Sequence, residues 1–167
     1  MLDRMREALF STLAPWLADA LVLDLFAGSG SLGLEALSRG ARRARFVERD
    51  LAVVRLIEEN ARLLGEEERA EVVRGDALDP ASWGSGAPDV VFFDPPYPML
   101  DRRATRTRLM EAIRALVREH AAAEAVLVFH APRGRILASE LKGDLEARSR
   151  DYGSGTLWYV QAAGDSP

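Results

Sequence analysis

The sequence predicts an α/β protein with a mostly parallel, doubly wound β-sheet of the seven-stranded type and an antiparallel hairpin at its C-terminal edge. Short apolar runs, which predict strands, alternate with amphipathic segments, which predict helices, until the final hairpin. The runs are apolar at successive positions, as in strands covered by helices on both faces. Because 167 residues match one domain, we expect a single domain over residues 1–167.

Four helices are predicted from apolar residues that recur at helical spacing. The first lies within residues 1–18, and its apolar face, with Met5, Leu9 and Leu13, is expected to pack on the rest of the domain. Glycines at the C-terminal ends support the second and third helices. The predicted helices are Leu2–Leu17, Ser31–Arg39, the stretch between Asp50 and Gly65, and Arg103–Glu119.

Five short runs predict the main strands, and two more predict a hairpin around the glycine-rich turn Tyr152–Gly155. The main strands are Leu21–Phe26, Arg45–Glu48, Ala70–Arg74, Val90–Phe93 and Val126–Phe129, and the hairpin lies within Leu145–Gln161. In such sheets, ligands bind beyond the carboxyl ends of the strands, near the point where the strand order reverses. The residues that follow each strand are therefore the candidate site.

Composition excludes several classes of site. The chain has no cysteine, which excludes disulfides, thiolate zinc sites and cysteine nucleophiles. With only two histidines, His120 and His130, we expect no metal site and a structural role for each histidine. The alternative for His130, which follows the fifth strand, is that it borders the ligand pocket. No apolar run approaches a membrane span, so we expect a cytoplasmic protein without membrane contact. The formal charge of −4 disfavours a generic nucleic-acid coat, which is usually basic.

A glycine-rich segment follows the first strand. Its glycines at 28, 30 and 33 fit the spacing G-x-G-x-x-G between a predicted strand and a predicted helix. Glycine permits the tight turn and lets a ligand approach the backbone closely. The alternative is a plain glycine-rich turn that binds nothing.

Carboxylates follow the next two strands. Glu48 stands twenty residues after Gly28, where a carboxylate can accept hydrogen bonds from both hydroxyls of a ribose. Asp76 could accept one from an adenine amino group, or could form the turn after the third strand. Together with the glycine segment, these acids predict a nucleoside cofactor lying across the sheet. They do not distinguish a nicotinamide dinucleotide from S-adenosylmethionine.

The fourth strand is followed by Asp94-Pro95-Pro96-Tyr97. Two consecutive prolines stiffen the backbone and remove two N–H donors. An exocyclic amine on a nucleobase is a poor nucleophile, and a carboxylate with a backbone carbonyl can hold its two hydrogens and favour lone-pair character on the nitrogen. Tyr97 could stack on the base. The motif therefore favours methylation of a nucleobase amine, and the alternative is a rigid turn with a core tyrosine.

Three blocks carry a resemblance to a known family. They are Arg4–Phe10, Leu23–Ala41 and Asp94–Tyr97. Through them the chain resembles the bacterial 16S ribosomal RNA guanine-N2 methyltransferases, which are Rossmann-like, S-adenosylmethionine-dependent enzymes with a DPPY motif. The resemblance runs from Asp3 to about Tyr159, which is nearly the whole chain.

The resemblance implies direct in-line methylation of the N2 amine of a guanine, guanine 966 in that family. It implies ribosomal RNA or the small ribosomal subunit as partner, and we expect a monomer. The implied cofactor-binding residues are Asp24, Phe26, Ala27, Gly28, Ser29, Gly30, Glu48, Arg49, Asp76, Ala77 and Asp94. The implied catalytic residues are Asp94, Pro95, Pro96 and Tyr97.

Arginines near the candidate site are candidate RNA contacts. From Pro95 to Arg118, six arginines stand against two acids, and such a strip attracts phosphates locally. The alternative is a solvated helix start. The candidate RNA-binding residues are Arg4, Arg6, Arg102, Arg103 and Arg106.

Three other functions remain open from the sequence. The same chemistry could act on adenine N6 or on another nucleic-acid amine. The glycine segment and the acids also suit a nicotinamide-dependent oxidoreductase, although such an enzyme needs a second, substrate-holding domain. The third is an RNA-binding protein without catalysis, which would have no need of Glu48, the glycine segment and Asp94–Tyr97 together.

Overall fold

The computed structural model describes residues 3–141 and 143–164. Seven strands are described: β1 Leu21–Leu25, β2 Arg43–Glu48, β3 Ala70–Arg74, β4 Val90–Phe93, β5 Val126–Pro132, β6 Leu145–Tyr152 and β7 Gly155–Ala162. They form one sheet in the order β3-β2-β1-β4-β5-β7-β6. The first five strands pair in parallel, and β7 pairs antiparallel with both β5 and β6. The predicted fold class is confirmed.

Helices cover both faces of this sheet. They are α1 Asp3–Leu17, α2 Ser31–Ser38, α3 Leu51–Leu63, α4 Pro98–Asp101, α5 Arg103–Ala115 and α6 Ala138–Leu141. The buried faces of α1, α2 and α3 join one core cluster, where the rings of Phe10 and Phe92 meet edge to face at 5.8 Å. The buried faces of α5 and α6 join a second cluster on the other side of the sheet. Because one cluster covers each face of the sheet, the strands can be apolar at successive positions.

The strand order reverses between β1 and β4. Both strands are central and parallel, with Leu25 in register with Phe93 at their carboxyl ends. The segments that begin at Phe26 and Asp94 therefore leave the sheet side by side. This is the position where open α/β sheets bind ligands.

The fifth strand is longer than predicted. It continues past Phe129 to Pro132, because its antiparallel pairing with β7 extends to Gly155. The sequence run looked shorter because His130 interrupts the apolar pattern. As a result, His130 lies within β5 and not after its C-terminal end.

Several other predicted boundaries need correction. β1 ends at Leu25, because Phe26 has a positive φ of 59° and leaves the sheet. β2 begins two residues before Arg45, since its pairing with β1 begins at Arg43. α2 ends at Ser38, and the helix predicted to run to Glu119 changes at Leu116 into a π-helical turn. Leu2, the predicted start of the first helix, lies outside the described residues.

Three short elements that the sequence did not predict connect the longer ones. They are α4, α6 and a 3₁₀ turn at Pro80–Ser82. Each is a single turn, too short to display an apolar period. The expectation of one domain over residues 1–167 stays a prediction.

Two kinds of feature are missing from the described residues, 3–141 and 143–164. Their helices include none with the length and apolar character that crossing a lipid bilayer requires. In the same part of the chain, His, Asp and Glu side chains form no group of three that could hold a metal ion.

Candidate active site

A cleft of about 750 Å³ opens at the carboxyl ends of β1 to β5. Its walls come from the segments that follow those strands and from the start of α5. It is lined by Phe26, Gly28, Val47, Glu48, Arg49, Gly75, Asp76, Ala77, Leu78, Asp94 to Met99, Thr105, Arg108 and His130. The volume suits a nucleoside-sized ligand, since small-molecule sites span roughly 300–1,000 Å³.

The turn after β1, called the glycine turn here, contains three residues with positive φ angles: 59° at Phe26, 53° at Gly28 and 77° at Gly30. Glycine adopts such angles readily, whereas at a bulky residue they are strained. Phe26 is held there because its ring meets that of Phe93 edge to face at 5.4 Å. The turn also donates from Gly30 N–H to the Ala27 carbonyl at 2.8 Å. It thus presents backbone and one aromatic ring to the cleft.

Asp24 lies beneath this turn. Its side chain is 2% exposed, and its Oδ2 accepts a hydrogen bond from Gly33 N–H at 2.9 Å. Burial, followed by the negative charges of Asp94 and Glu48, raises the pKa of Asp24 to about 8, although the bond from Gly33 opposes the rise. A Cβ at Gly33 would lie 2.3 Å from the ring of Phe46. The structure thus places Asp24 under the turn, and its direct contact with a cofactor stays a prediction.

Glu48 ends β2 and faces the cleft. Its Oε1 accepts from the N–H groups of Arg49 at 2.8 Å and Asp50 at 3.0 Å, and its Oε2 accepts from Gly28 N–H at 3.2 Å. A carboxylate has about four lone-pair positions. One position remains for a ligand, and the bond to Gly28 is the longest of the three. The carboxylate therefore joins the glycine turn to β2 and can still bind a hydroxyl.

Asp76 stands in the turn after β3. Its Oδ1 accepts from Leu78 N–H at 2.9 Å, which is the turn-forming role that the sequence left open. Its Oδ2 lies 3.9 Å from a guanidinium nitrogen of Arg108, and both side chains are exposed. Oδ2 is therefore the Asp76 atom that can accept a hydrogen bond from the amino group of a ligand.

The Asp94–Tyr97 corner meets His130 on the other side of the cleft. Asp94 Oδ1 lies 2.8 Å from His130 Nδ1, and His130 Nε2 lies 3.4 Å from the Tyr97 hydroxyl. The rings of Tyr97 and His130 meet edge to face with centroids 5.8 Å apart. Pro95 is buried, whereas Pro96 and Tyr97 are exposed. The corner is therefore fixed by the buried Pro95 and by the contact with His130, and it leaves Tyr97 exposed.

Tyr97 is exposed over 47% of its surface. Its partial burial, followed by the negative charge of Asp94, raises the pKa of the phenol above its ordinary value of 10.0. The hydroxyl is therefore protonated at neutral pH and can donate to His130. The exposed part of the residue lines the cleft and is accessible to a ligand.

The predicted site residues fall into two sets. One set lines the cleft: Phe26, Gly28, Glu48, Arg49, Asp76, Ala77, Asp94, Pro95, Pro96 and Tyr97. The other set does not line the cleft: Ala27, Ser29 and Gly30 belong to the glycine turn, and Asp24 lies beneath it. Ser29 accepts at its carbonyl from the Asn60 side chain at 3.0 Å. The roles assigned to both sets stay predictions.

The predicted RNA-binding arginines lie outside the cleft lining. Arg106 is engaged by Glu140, at 2.8 and 2.6 Å, and by the Arg135 carbonyl at 2.6 Å. Arg6 lies 3.3 Å from Asp3. The remaining three, Arg4, Arg102 and Arg103, are exposed. These arrangements give Arg106 a structural partner and leave the RNA role of all five a prediction.

Among the cleft residues that the sequence did not predict as site residues, Arg108 and His130 carry side chains that can take part in chemistry. Arg108 was counted only as part of the basic strip, yet it lines the cleft beside Asp76. A structural role for His130 was preferred over a place at the pocket, yet it lines the cleft and contacts both Asp94 and Tyr97. The available signal was that His130 directly follows the apolar run Val126–Phe129. Using it required the strand order, which the sequence alone did not supply.

The family described as "Conserved hypothetical protein 95" matches residues 1–161. This chain belongs to that family. A curated relative, Ribosomal RNA small subunit methyltransferase D of Haemophilus influenzae, is 44% identical over 98 residues, which are 57% of this chain and 51% of the relative. Its namesake in Escherichia coli is 45% identical over 95 residues, 57% of this chain and 48% of the relative. The chain thus spans about half the length of the curated relatives it matches. The family that the three sequence blocks predicted is confirmed.

Solved structures resemble the whole chain. A hypothetical protein of Thermus thermophilus is 32% identical with a TM-score of 0.77, covering 97% of this chain and 87% of that one. An RNA methyltransferase of Salinibacter ruber, in complex with S-adenosyl-L-homocysteine, has a TM-score of 0.69 at 18% identity, covering 100% and 95%. The second likeness concerns the fold alone. This chain therefore has a Rossmann-like fold of the kind found in the Salinibacter ruber RNA methyltransferase.

Proposed function

We propose that this protein transfers a methyl group from S-adenosylmethionine to the exocyclic N2 amine of a guanine in 16S ribosomal RNA. The observation that carries the proposal is that the Asp94–Tyr97 corner opens into the same cleft as the glycine turn and Glu48. A corner that only stiffened a loop would need neither a carboxylate at a ligand-sized cleft nor an exposed tyrosine beside it.

The cleft residues fit the cofactor. An adenosine needs acceptors for its ribose hydroxyls and its amino group, and apolar walls for its base. Glu48 has a lone-pair position for a hydroxyl, Asp76 Oδ2 can accept from the amine, and apolar side chains flank them: Val47, Ala77 and Leu78. When bound, S-adenosylmethionine supplies an electrophilic methyl group on a positively charged sulfur. The glycine turn lets the methionine part approach the backbone.

The corner can hold the guanine amine by its two hydrogens. Asp94 supplies one acceptor. The carbonyls of Pro96 and Tyr97 each already accept one bond, from Met99 and Leu100 N–H at 2.9 Å, so we propose the carbonyl of Asp94 or Pro95 as the second acceptor. Fixing both hydrogens turns the nitrogen lone pair out of the ring's conjugation and toward the methyl donor. The contribution of the chain to this direct in-line transfer is positioning and electrostatics.

The amine must lose one proton when it gains the methyl group. Asp94 Oδ2 is free of the bond to His130 and can accept that proton or pass it to solvent. The exposed part of Tyr97 can stack on the guanine, as aromatic side chains do with extruded bases. The base is thus held at its edge and at its face.

The relatives named Ribosomal RNA small subunit methyltransferase D support ribosomal RNA as the substrate class. From the family resemblance we propose guanine 966 as the target, and we propose that a single-domain monomer acts in the cytoplasm, where ribosomal RNA is made and assembled in bacteria. Naked RNA and the small ribosomal subunit are both candidates for the form of the substrate.

The test uses purified protein, labelled S-adenosylmethionine, and 16S RNA or small subunits from a strain that lacks this gene. Nucleoside mass spectrometry identifies the product, and calorimetry with S-adenosylhomocysteine measures cofactor binding. The proposal expects one N2-methylguanosine per RNA and cofactor binding. N6-methyladenosine as product would show that the target base is adenine and not guanine. Binding of a nicotinamide dinucleotide instead would support an oxidoreductase. RNA binding without any transfer would indicate a non-catalytic protein.

A further inference from the structure

We infer that His130 is a positioning residue, which orients the Asp94 carboxylate toward the substrate amine and ties it to Tyr97. The inference rests on the proposed function and adds to it a residue from a different strand. Although Asp94 and His130 stand 36 positions apart in the chain, the sheet makes them neighbours.

Strand pairing brings the two residues together. β4 and β5 run in parallel, and Phe93 is in register with Phe129, so the next residues, Asp94 and His130, emerge beside each other. His130 is 6% exposed, which limits the rotation of its ring. Its Nδ1 lies 2.8 Å from Asp94 Oδ1, within the range of a strong hydrogen bond.

The chemistry assigns each ring nitrogen a role. A carboxylate only accepts, so His130 Nδ1 carries the hydrogen and donates it to Asp94 Oδ1. In the neutral ring, Nε2 is then an acceptor, and the Tyr97 hydroxyl, 3.4 Å away, is the donor that faces it. With Oδ1 engaged, Oδ2 is left for the amine. The terminal torsion of aspartate is otherwise broad, so this bond selects one orientation.

The His130 ring packs against a glycine on a third strand, β7, where a larger residue would collide with it. A Cβ at Gly155, where β7 begins, would lie 2.8 Å from His130 Nε2 and 2.8 Å from Met5 Cε. Contacts below 3.0 Å force something to move. Met5 ends in a flexible thioether, whereas the imidazole is held by Asp94. A side chain at Gly155 would therefore displace the ring from its bond with Asp94.

The experiment compares three substitutions of His130. In His130→Asn the side-chain nitrogen lies near the former position of Nδ1, so the donor to Asp94 is kept. In His130→Gln it lies near the former Nε2, and His130→Ala keeps neither. We expect His130→Ala and His130→Gln to lower kcat about 10- to 100-fold and His130→Asn to recover most of that loss. The affinity for S-adenosylhomocysteine should stay within about twofold for all three, because the contact lies away from Glu48 and Asp76.

Gly155→Ala provides an independent arm. We expect it to lower kcat in the wild-type background and to have little further effect in the His130→Ala background, because both changes remove the same bond. The matched control is His120→Ala, which removes the chain's other histidine. His120 packs on Trp83 with ring centroids 5.5 Å apart and lies outside the cleft lining. It should lower the unfolding temperature without lowering kcat.

A second readout does not need activity. The ¹⁵N chemical shifts of the His130 ring report which nitrogen is protonated, and we expect an Nδ1–H tautomer that changes in Asp94→Ala. An active wild-type enzyme with unchanged kcat in His130→Ala, or equal losses in His130→Asn and His130→Ala, would overturn the inference while leaving the proposed function intact. An inactive wild-type protein would overturn the proposed function, and the ring shifts would then decide whether the pair exists.

Discussion

The two halves of the cleft hold their carboxylates in different ways. In the half built from β1, β2 and β3, Asp24 and Glu48 accept hydrogen bonds from backbone N–H groups, which lie in helix α2, in the glycine turn and in the segment after β2. In the half built from β4 and β5, Asp94 is held by a side chain, the imidazole of His130. The first arrangement uses backbone donors, most of them close in the chain, with one bond from Gly28 to Glu48 that crosses between β1 and β2. The second depends on which strands are neighbours.

The difference has a consequence for mutation. Backbone donors remain when a side chain is replaced, so the β1–β3 half keeps its shape unless a carboxylate or a glycine is lost. The β4–β5 half loses its orientation when one side chain changes. We therefore expect substitutions in the two halves to separate into effects on cofactor binding and effects on transfer.

The largest expected effect comes from breaking the β4–β5 half at its centre. Asp94→Ala removes the acceptor for the amine, and we expect kcat to fall about 10²- to 10³-fold, while the affinity for S-adenosylhomocysteine falls much less because Glu48 and Asp76 still bind it. Methyl-transfer kinetics and calorimetry measure the two quantities. Asp94→Asn, which keeps one acceptor oxygen, is the conservative comparison and should lose less. A normal kcat in Asp94→Ala would contradict the proposed role.

The second prediction concerns the buried acid of the β1–β3 half. The pKa of Asp24 is raised from 3.8 to about 8 by burial, so the folded protein holds a proton that the unfolded chain releases. The free energy of unfolding should therefore be highest below pH 3.8 for this group, fall as the pH rises to about 8, and level off above it. The change is on the order of a few kcal/mol.

Asp24→Asn sharpens this point, because the amide oxygen still accepts from Gly33 N–H and nothing ionises. Urea unfolding of both proteins at pH 5 and pH 8 is the measurement. The wild type should lose more stability than the variant between these values. Equal losses would mean that Asp24 does not titrate in this window.

The third prediction concerns cofactor binding by the β1–β3 half. Glu48→Ala should weaken S-adenosylhomocysteine binding about tenfold and raise the KM for the cofactor, with a smaller effect on kcat at saturation. Asp50→Ala is the matched control, since Asp50 is a neighbouring carboxylate that caps α3 through the N–H groups of Ala52 and Val53. It should cost about 1 kcal/mol of stability and leave affinity unchanged. Equal losses of affinity in both variants would contradict the role of Glu48.

The smallest expected effect lies outside both halves. Reversing the charges of Arg102 and Arg103 to Glu should weaken RNA binding several-fold and lower the slope of its salt dependence by about 1 to 2, because two phosphate contacts are lost. The same reversal at Arg148 and Arg150, exposed residues on β6, is the control. If the two pairs behave alike, the arginines beside α5 have no special contact with RNA.

The sequence predicted the β1–β3 half well. Glycines 28, 30 and 33, Glu48 and Asp76 sit at fixed offsets from apolar runs, and their hydrogen bonds are made largely with the turns in which they lie. Asp94–Tyr97 was recognisable for the same reason, since four adjacent residues carry the motif. The boundaries of β5 and of α5 were less accurate, because tertiary pairing extends the first and a π-helical turn changes the second.

By itself the sequence determined the fold class, the family and the residues at the strand ends, because local spacing and chain order carry that information. Only the tertiary structure decided that Asp94 meets His130, that Arg106 is paired with Glu140 and that Asp24 is buried beneath the turn. Those contacts depend on the order of strands in the sheet and on helices packed across it. Residues far apart in the chain become partners there, and no local pattern records their distance.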